Sequence, residues 1–357
     1  MEHPGIETAA SNFAGSQKRK RRWLAFALAV LLCTMGVFLF LRGSPGLLDH
    51  STGVPIVKDV GWYDWLSKTE MLAITSGSLR GMIFRIDTRT GLVSELNAHL
   101  SGLSVVYAFT TDGLSPNKRW LHCKGAVGRV NTHEFFTLTG AHRNYVDGPY
   151  SKDEIGEFEG AWGPDSRTWV YLHQEDASLR FGELTVEGPK RRREYRVNAG
   201  TEFHQPRIES VLRNGHVLVR EGESRLNPQQ TFRLFEYDLR GEKLVNKYAI
   251  ALPFTVGVYG SALSPPGNRI AFLLETIDPP VGLSVWLNRL TRKPSGPVMS
   301  LWIANLDGSH LRLLGSEALR VDRINGEEAE IGCLRWLSDG KRLSFIFRDK
   351  LWTIPAD

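Results

Sequence analysis

The stretch WGPDSRTWVYL, residues 162–172, holds an aromatic residue, a short polar turn and a second apolar run. Its turn is built from residue types that reverse a chain: Gly accepts positive φ, Pro presets φ, and Asp bonds its own backbone. Two short antiparallel strands around a tight turn are the expected structure. The same grammar recurs in WLSKTEMLAIT (65–75), GLSPNKRWLHC (113–123), VLRNGHVLVR (211–220), ALSPPGNRIAFLL (262–274) and RWLSDGKRLSFIF (335–347). Measured at the residue opening each turn (66, 115, 163, 212, 264 and 337), the spacings are 49, 48, 49, 52 and 73. Near-equal periods of this length mark a repeat architecture.

Each unit then offers a second pair of runs around a Gly turn: MIFRIDTRTG (82–91), EFFTLTG (134–140), LRFGELTVEG (179–188), RLFEYDLRG (233–241) and SLWIANLDG (300–308). Their alternation has the period of two that a half-buried strand requires. Every unit is therefore a four-stranded antiparallel meander. One meander cannot bury both of its faces, but six packed radially can. The last unit ends at KLWTIPAD (350–357), one strand short, and GVPIVKDV (53–60) precedes the first unit with no other role. The fold class expected is all-β: a six-bladed β-propeller over 54–357 whose ring is closed by this N-terminal strand. The 73-residue gap reads as inserted loops at 276–299 and 316–330.

The phrases SPPGNRIAF, SDGKRLSF, GPDSRTWVY and LWIANLDGSHLRLL resemble the TolB-like family of β-propeller repeats. That resemblance implies a propeller with an extracytoplasmic interaction role. The separate N-terminal domain of TolB has no counterpart here, and an apolar segment stands in its place.

That segment, WLAFALAVLLCTMGVFLFL (23–41), is 19 residues without charge or proline. At 1.5 Å per residue it spans roughly 28 Å, close to a bilayer's hydrocarbon thickness. Lys18–Arg22 precede it and only Arg42 closely follows, so the positive-inside rule leaves residues 1–22 as a short cytoplasmic tail. The run is longer than the apolar part of a cleaved signal peptide, so one retained transmembrane helix is expected. Residues 42–53 form a linker, and the propeller lies outside the cytoplasm, periplasmic or extracellular. The formal charge of +5 divides into +3 over residues 1–22 (five basic, two acidic) and 5 − 3 = +2 over the remainder. Such a balance gives little support to nucleic-acid binding, which needs a basic face on the folded part.

Chemistry-bearing motifs are absent from the sequence: no G-x-S-x-G elbow, P-loop, G-x-G-x-x-G, H-E-x-x-H or C-x-x-C. No cofactor, metal set or catalytic constellation is therefore expected. Cys33, Cys123 and Cys333 read as small hydrophobes, and the tryptophans as packing between blades.

The meander sorts the loops. Turns joining strands one to two and three to four fall on one face of the disc. The longer segments 141–158, 198–207, 276–299 and 316–330 fall on the other, where binding residues are expected. That face carries Arg143, Tyr150, His204, Arg207, Trp286, Arg289 and Arg323. Aromatics mixed with charge suit contact with a protein or a cell-envelope polymer. The apolar insert VGLSVWLNRL could dock on the propeller mouth, meet a partner or touch the membrane. Lys190–Arg193 (KRRR), on the short-turn face, reads as a solvated turn and edge strand or as a patch for anionic lipid or cell-wall polymer. Hence the expected function is a membrane-tethered, non-catalytic binding or scaffold module. The alternative is a metal-dependent lyase or hydrolase acting on polysaccharide or peptide at the channel mouth, with His204-Gln205 as a ligand pair.

Overall fold

The computed structural model of the protein describes residues 53–56, 60–75, 83–96, 106–108, 113–127, 130–149, 160–175, 178–198, 206–221, 231–253, 255–276, 298–318, 332–347 and 350–357. Among them every regular element is a β-strand. No helix of the described residues is long and apolar enough to cross a membrane, and the anchor expected over 23–41 lies outside them. Residues Gly46–Asp357 form one compact unit.

The chain enters with β1 (Val54–Pro55) and then lays down five blades of four strands each. Blade 1 contains β2 (Val60–Trp65), β3 (Glu70–Thr75), β4 (Ile83–Asp87) and β5 (Val93–Glu95). Blade 2 contains β6 (Val106–Ala108), β7 (Trp120–Val127), β8 (Val130–Thr137) and β9 (His142–Pro149). Blade 3 contains β10 (Gly160–Trp162), β11 (Thr168–Glu175), β12 (Ser178–Thr185) and β13 (Arg192–Asn198). Blade 4 contains β14 (Arg207–Val211), β15 (Val217–Arg220), β16 (Thr231–Asp238) and β17 (Lys243–Ala251). Blade 5 contains β18 (Thr255–Leu263), β19 (Arg269–Thr276), β20 (Val298–Asn305) and β21 (Arg312–Ala318). Blade 6 has β22 (Gly332–Trp336), β23 (Arg342–Phe347) and β24 (Lys350–Pro355), and β1 completes it.

The second strand of each blade explains why the ring forms. A strand with apolar residues on both faces needs cover on both sides. In β11, Trp169 and Tyr171 pack against blade 2 while Val170 and Leu172 pack against blade 4. In β19, Ile270, Phe272 and Leu274 face blade 4, and Ala271 and Leu273 face blade 6. In β3, Leu72 and Ile74 face blade 2, and Met71 and Ala73 face blade 6. Six apolar clusters result, one at each interface between neighbouring blades. Close approach is built in as well: Gly182 stands opposite Tyr171, whose ring fills the space a Cβ would need.

Polar seams tie neighbouring blades at the ends of the innermost strands. The indole of Trp162 donates to Gly113 O of the preceding blade at 3.1 Å, and that of Trp336 to Ala262 O at 2.8 Å. Trp65 closes the series across the join between first and last blades, donating to Ser344 Oγ at 2.8 Å. Tyr63 OH donates to the same oxygen at 2.9 Å, and burial drives its phenol well above the ordinary range.

The expectation that the N-terminal strand supplies the missing outer strand holds, over two residues: Val54 pairs with Leu351 and Pro55 with Lys350. Gly53 lies against the Trp352 indole, where a Cβ would stand 2.8 Å from the ring. At the other end, Arg269 Nη1 and Arg312 Nη2 donate to Ala356 O at 3.2 and 2.7 Å, binding the C-terminus to blade 5.

The short turns lie where the sequence puts them. Their left-handed position is glycine in blades 4, 5 and 6 (Gly215, Gly267 and Gly340), but Lys118 and Ser166 in blades 2 and 3, with φ of 62° and 59°. One segment expected as a loop is not one. His142–Pro149 form β9, the outer strand of blade 2, in register with β8 from Phe136–His142 to Val130–Pro149. An outer strand has a solvent-facing side, so HRNYVDGP pairs through its backbone without needing an apolar run.

Ser344 is fully buried and accepts two donors from the neighbouring blade. Ser344→Ala leaves both unsatisfied and is expected to cost about 2–4 kcal/mol. The exposed Ser94→Ala should shift the urea midpoint by an amount near zero. Equal midpoints for the two variants would show that the hydrogen bonds to Ser344 contribute nothing.

Glu236 on β16 provides a pH readout. Burial alone raises its carboxyl, but the hydrogen bond from Tyr248 OH (2.7 Å), His216 Nδ1 at 2.7 Å and Asn214 Nδ2 at 3.4 Å outweigh that and hold it below its ordinary value. A lowered folded value means a contribution fully present above about pH 4.3, the ordinary glutamate value, and lost as pH falls through the folded one. Glu236→Gln should flatten the acid limb of a stability-versus-pH curve measured by urea unfolding. An unchanged acid limb would remove Glu236 from the account.

Candidate functional site

Opposite the short turns, the start of each innermost strand and the end of each second strand come to the surface. On blade 4 this places Arg207, first residue of β14, directly across from Arg220, last residue of β15. Cross-strand partners project to one face, and like charges so placed repel. Leu218 faces blade 5, and Arg220, two residues on, faces it too. A bulge between Ile208 and Ser210 inserts Glu209 beside this pair.

Blade 5 meets these charges with β18, TVGVYGSAL, an innermost strand bulged twice, between Thr255 and Gly257 and between Val258 and Gly260. Ser261 Oγ donates to Glu209 Oε2 at 3.0 Å and accepts from Arg220 Nη1 at 3.3 Å. One hydroxyl thus relays between a cation and an anion across the blade 4–blade 5 seam. The Arg220 guanidinium also stands 5.8 Å from the Phe232 ring centroid. Further along β18, half-exposed Tyr259 donates its hydroxyl to Glu275 Oε2 at 2.9 Å.

On the blade 6 side, Arg335 is buried and its Nε donates to Tyr63 O of blade 1 at 3.3 Å, so this cation acts as a clamp between blades. Cys333 adopts φ of 57° and its thiol lies 3.3 Å from Gly61 O. Burial pushes the Cys123 thiol far up, which makes it a packing residue.

The residues expected to bind separate in the structure. Arg207 lies on the expected face, within a strand rather than a loop. Arg143 lies on β9, and its Nη1 donates to Gly188 O at 2.8 Å, in the three-to-four turn of blade 3. It therefore belongs to the short-turn face, because the chain at 142 has already entered the outer strand. Tyr145 is buried beside it and donates its hydroxyl to Thr185 O. Tyr150, His204, Trp286, Arg289 and Arg323 lie outside the described residues.

His122, on the second strand of blade 2, is fully buried and stacks on Trp169 with ring centroids 3.8 Å apart. Its Nε2 lies 3.0 Å from Nδ1 of buried His133. This histidine pair is part of the aromatic packing between blades 2 and 3. Among the described residues no three His, Cys, Asp or Glu side chains gather as a metal set. Glu209, Arg220, Tyr259 and Ser261 escaped the sequence reading. A charged residue in the middle of RIESV and two glycines within VGVYGSAL were the available signals.

Chemically, the cluster offers two guanidiniums, two carboxylates and a phenol at the mouth of the ring. Guanidinium forks suit carboxylate or phosphate, and the acids suit cationic groups.

No protein-family model matches the chain, and no curated protein matches it. Solved structures are similar to the chain at low identity. A putative TolB from Agrobacterium tumefaciens is 12% identical, with 83% of this chain and 91% of that one covered at a TM-score of 0.49. An oligogalacturonate lyase from Vibrio parahaemolyticus is 9% identical over 87% and 91%, at 0.47. Hydrazine synthase from Kuenenia stuttgartiensis is 13% identical over 85% and 74%, at 0.46.

Proposed function

We propose that this propeller is a membrane-tethered, TolB-like extracytoplasmic module that binds a protein or a cell-envelope polymer without transforming it. In this reading residues 23–41 are the tether, residues 1–22 stay in the cytoplasm and the disc works beside the membrane. The observation that carries the reading is the Arg207–Arg220 opposition at the ring mouth. Two guanidiniums set across one ladder at the mouth can together fork onto an acidic group of a ligand. The Ser261 relay fixes Arg220 in place, so little side-chain entropy remains to be lost on binding. A tether raises the effective concentration of such a site toward anything held at the same membrane, so individual contacts need not be strong.

The test is site-specific photo-crosslinking of the full chain in its native host from positions 207, 259 and 286, with exposed Arg240 on the short-turn face as control. A discrete protein or polymer adduct from the first three positions alone is the expected outcome. Adducts equally strong from position 240, or none from any position with folded protein present, would overturn the reading. A stoichiometric metal in the purified protein, lost on His204→Ala, would instead establish the lyase or hydrolase alternative.

A further inference from the structure

The short-turn face is not electrically uniform. In blades 2 and 3, turn segments 115–119, 163–168 and 186–191 carry Lys118, Arg119, Arg167, Lys190 and Arg191 against Asp165 and Glu187, a net of 5 − 2 = +3. The equivalent segments of blades 5 and 6 (264–268, 306–311 and 337–341) carry Lys341 against Asp307 and Asp339, a net of 1 − 2 = −1. Arg143 and Arg192 flank the positive sector.

The acids of that sector are already committed. Asp165 accepts from the backbone N–H groups of Arg167 and Thr168 and from the Thr168 hydroxyl, so it holds its own turn. Glu187 is shared by Arg119 at 3.5 Å, Arg167 at 3.3 Å and the Trp120 indole at 3.0 Å. Those two arginine side chains remain 66% and 68% exposed. One carboxylate therefore serves two guanidiniums, and their outer donors face water.

The sector is also held rigid. Arg143 Nη1 and the Tyr145 hydroxyl both donate to the backbone of the blade 3 hairpin, at Gly188 O and Thr185 O. Lys190 Nζ rests 4.8 Å from the Tyr145 ring centroid. Asn117 N donates to Ser166 Oγ at 3.0 Å, joining the one-to-two turns of the same two blades. Cations on pinned turns at one end of the disc form a charged plane rather than a cleft around a single ion. A plane of guanidiniums matches a surface of many phosphates, each able to take a fork.

We infer that the short-turn face of blades 2 and 3 docks on an anionic phospholipid surface. The docking is independent of the Arg207–Arg220 site, which lies on the other face. Each Lys or Arg near such a surface adds to the attraction, so this sector suffices for reversible attachment at low salt. It would also set the tilt of the disc, with blades 2 and 3 toward the headgroups and blades 5 and 6 away.

The experiment uses residues 46–357, which contain the whole closed ring and all six inter-blade cores. Its probes are phosphatidylcholine vesicles with and without about a third phosphatidylglycerol, a fraction that gives a negative surface potential. Co-sedimentation with the anionic vesicles alone is expected, abolished at about 0.5 M salt where screening is strong. Arg167→Glu with Arg191→Glu should weaken it about tenfold or more. The double lysine variant at these positions should retain it, and Lys341→Glu on blade 6 should leave it unchanged. Thermal unfolding of each variant confirms that the ring is intact. Equal binding to neutral vesicles, or undiminished binding by the glutamate double variant, would overturn the inference. Binding to soluble polyphosphate with none to vesicles would overturn it too, since a linear polyanion would then be the occupant.

Discussion

Two-sided burial of the second strand is the constraint on which everything else rests. A sheet with apolar residues on one face can stop after a single partner, but TWVYL, HVLV, RIAFLL and RLSFIF have none to leave in water. Each blade must be covered twice, so the number of covering surfaces balances only when the last blade meets the first. Closure is thus a requirement of the sequence pattern and not an embellishment of it. The cost of leaving the ring open would be an exposed core face on blade 6 and another on blade 1, each carrying several large side chains such as Phe84, Met71, Ile346 and Leu351.

Within that frame the polar atoms decide how tightly neighbours register. Apolar clusters are tolerant of sliding, since dispersion and area burial have little direction. The indole donors of Trp65, Trp162 and Trp336 do have direction, and each reaches back to the blade before it. The Ser261 relay does the same between blades 4 and 5, with charged ends in place of an indole. That seam also lies at the ring mouth beside Arg207.

Much of this was legible in the sequence because it depends on local chemistry. Turn residues and the near-fifty spacing expose the blades, and Asp-Gly or its equivalents mark the hairpin tips. The orphan GVPIVKDV and the missing last strand point to each other. What could not be read depends on distances between blades. Glu209 and Ser261 are 52 residues apart and meet because two bulges in β18 and one in β14 turn them toward each other. Arg143 looked like a loop residue because an outer strand, wet on one side, carries no apolar run. The face of the disc to which it belongs follows from one strand boundary, and a shift of that boundary moves a residue from one surface to the opposite one.

The closing strand has a mechanical consequence. Everything ahead of residue 54 is connected to the ring through a two-residue ladder, Val54–Leu351 and Pro55–Lys350, at the rim of blade 6. The partner strand of that ladder is held at its far end by arginines from blade 5. A pull arriving along the chain from its N-terminal side therefore meets its weakest link first. It would peel a short edge while the six interfaces stay loaded but whole.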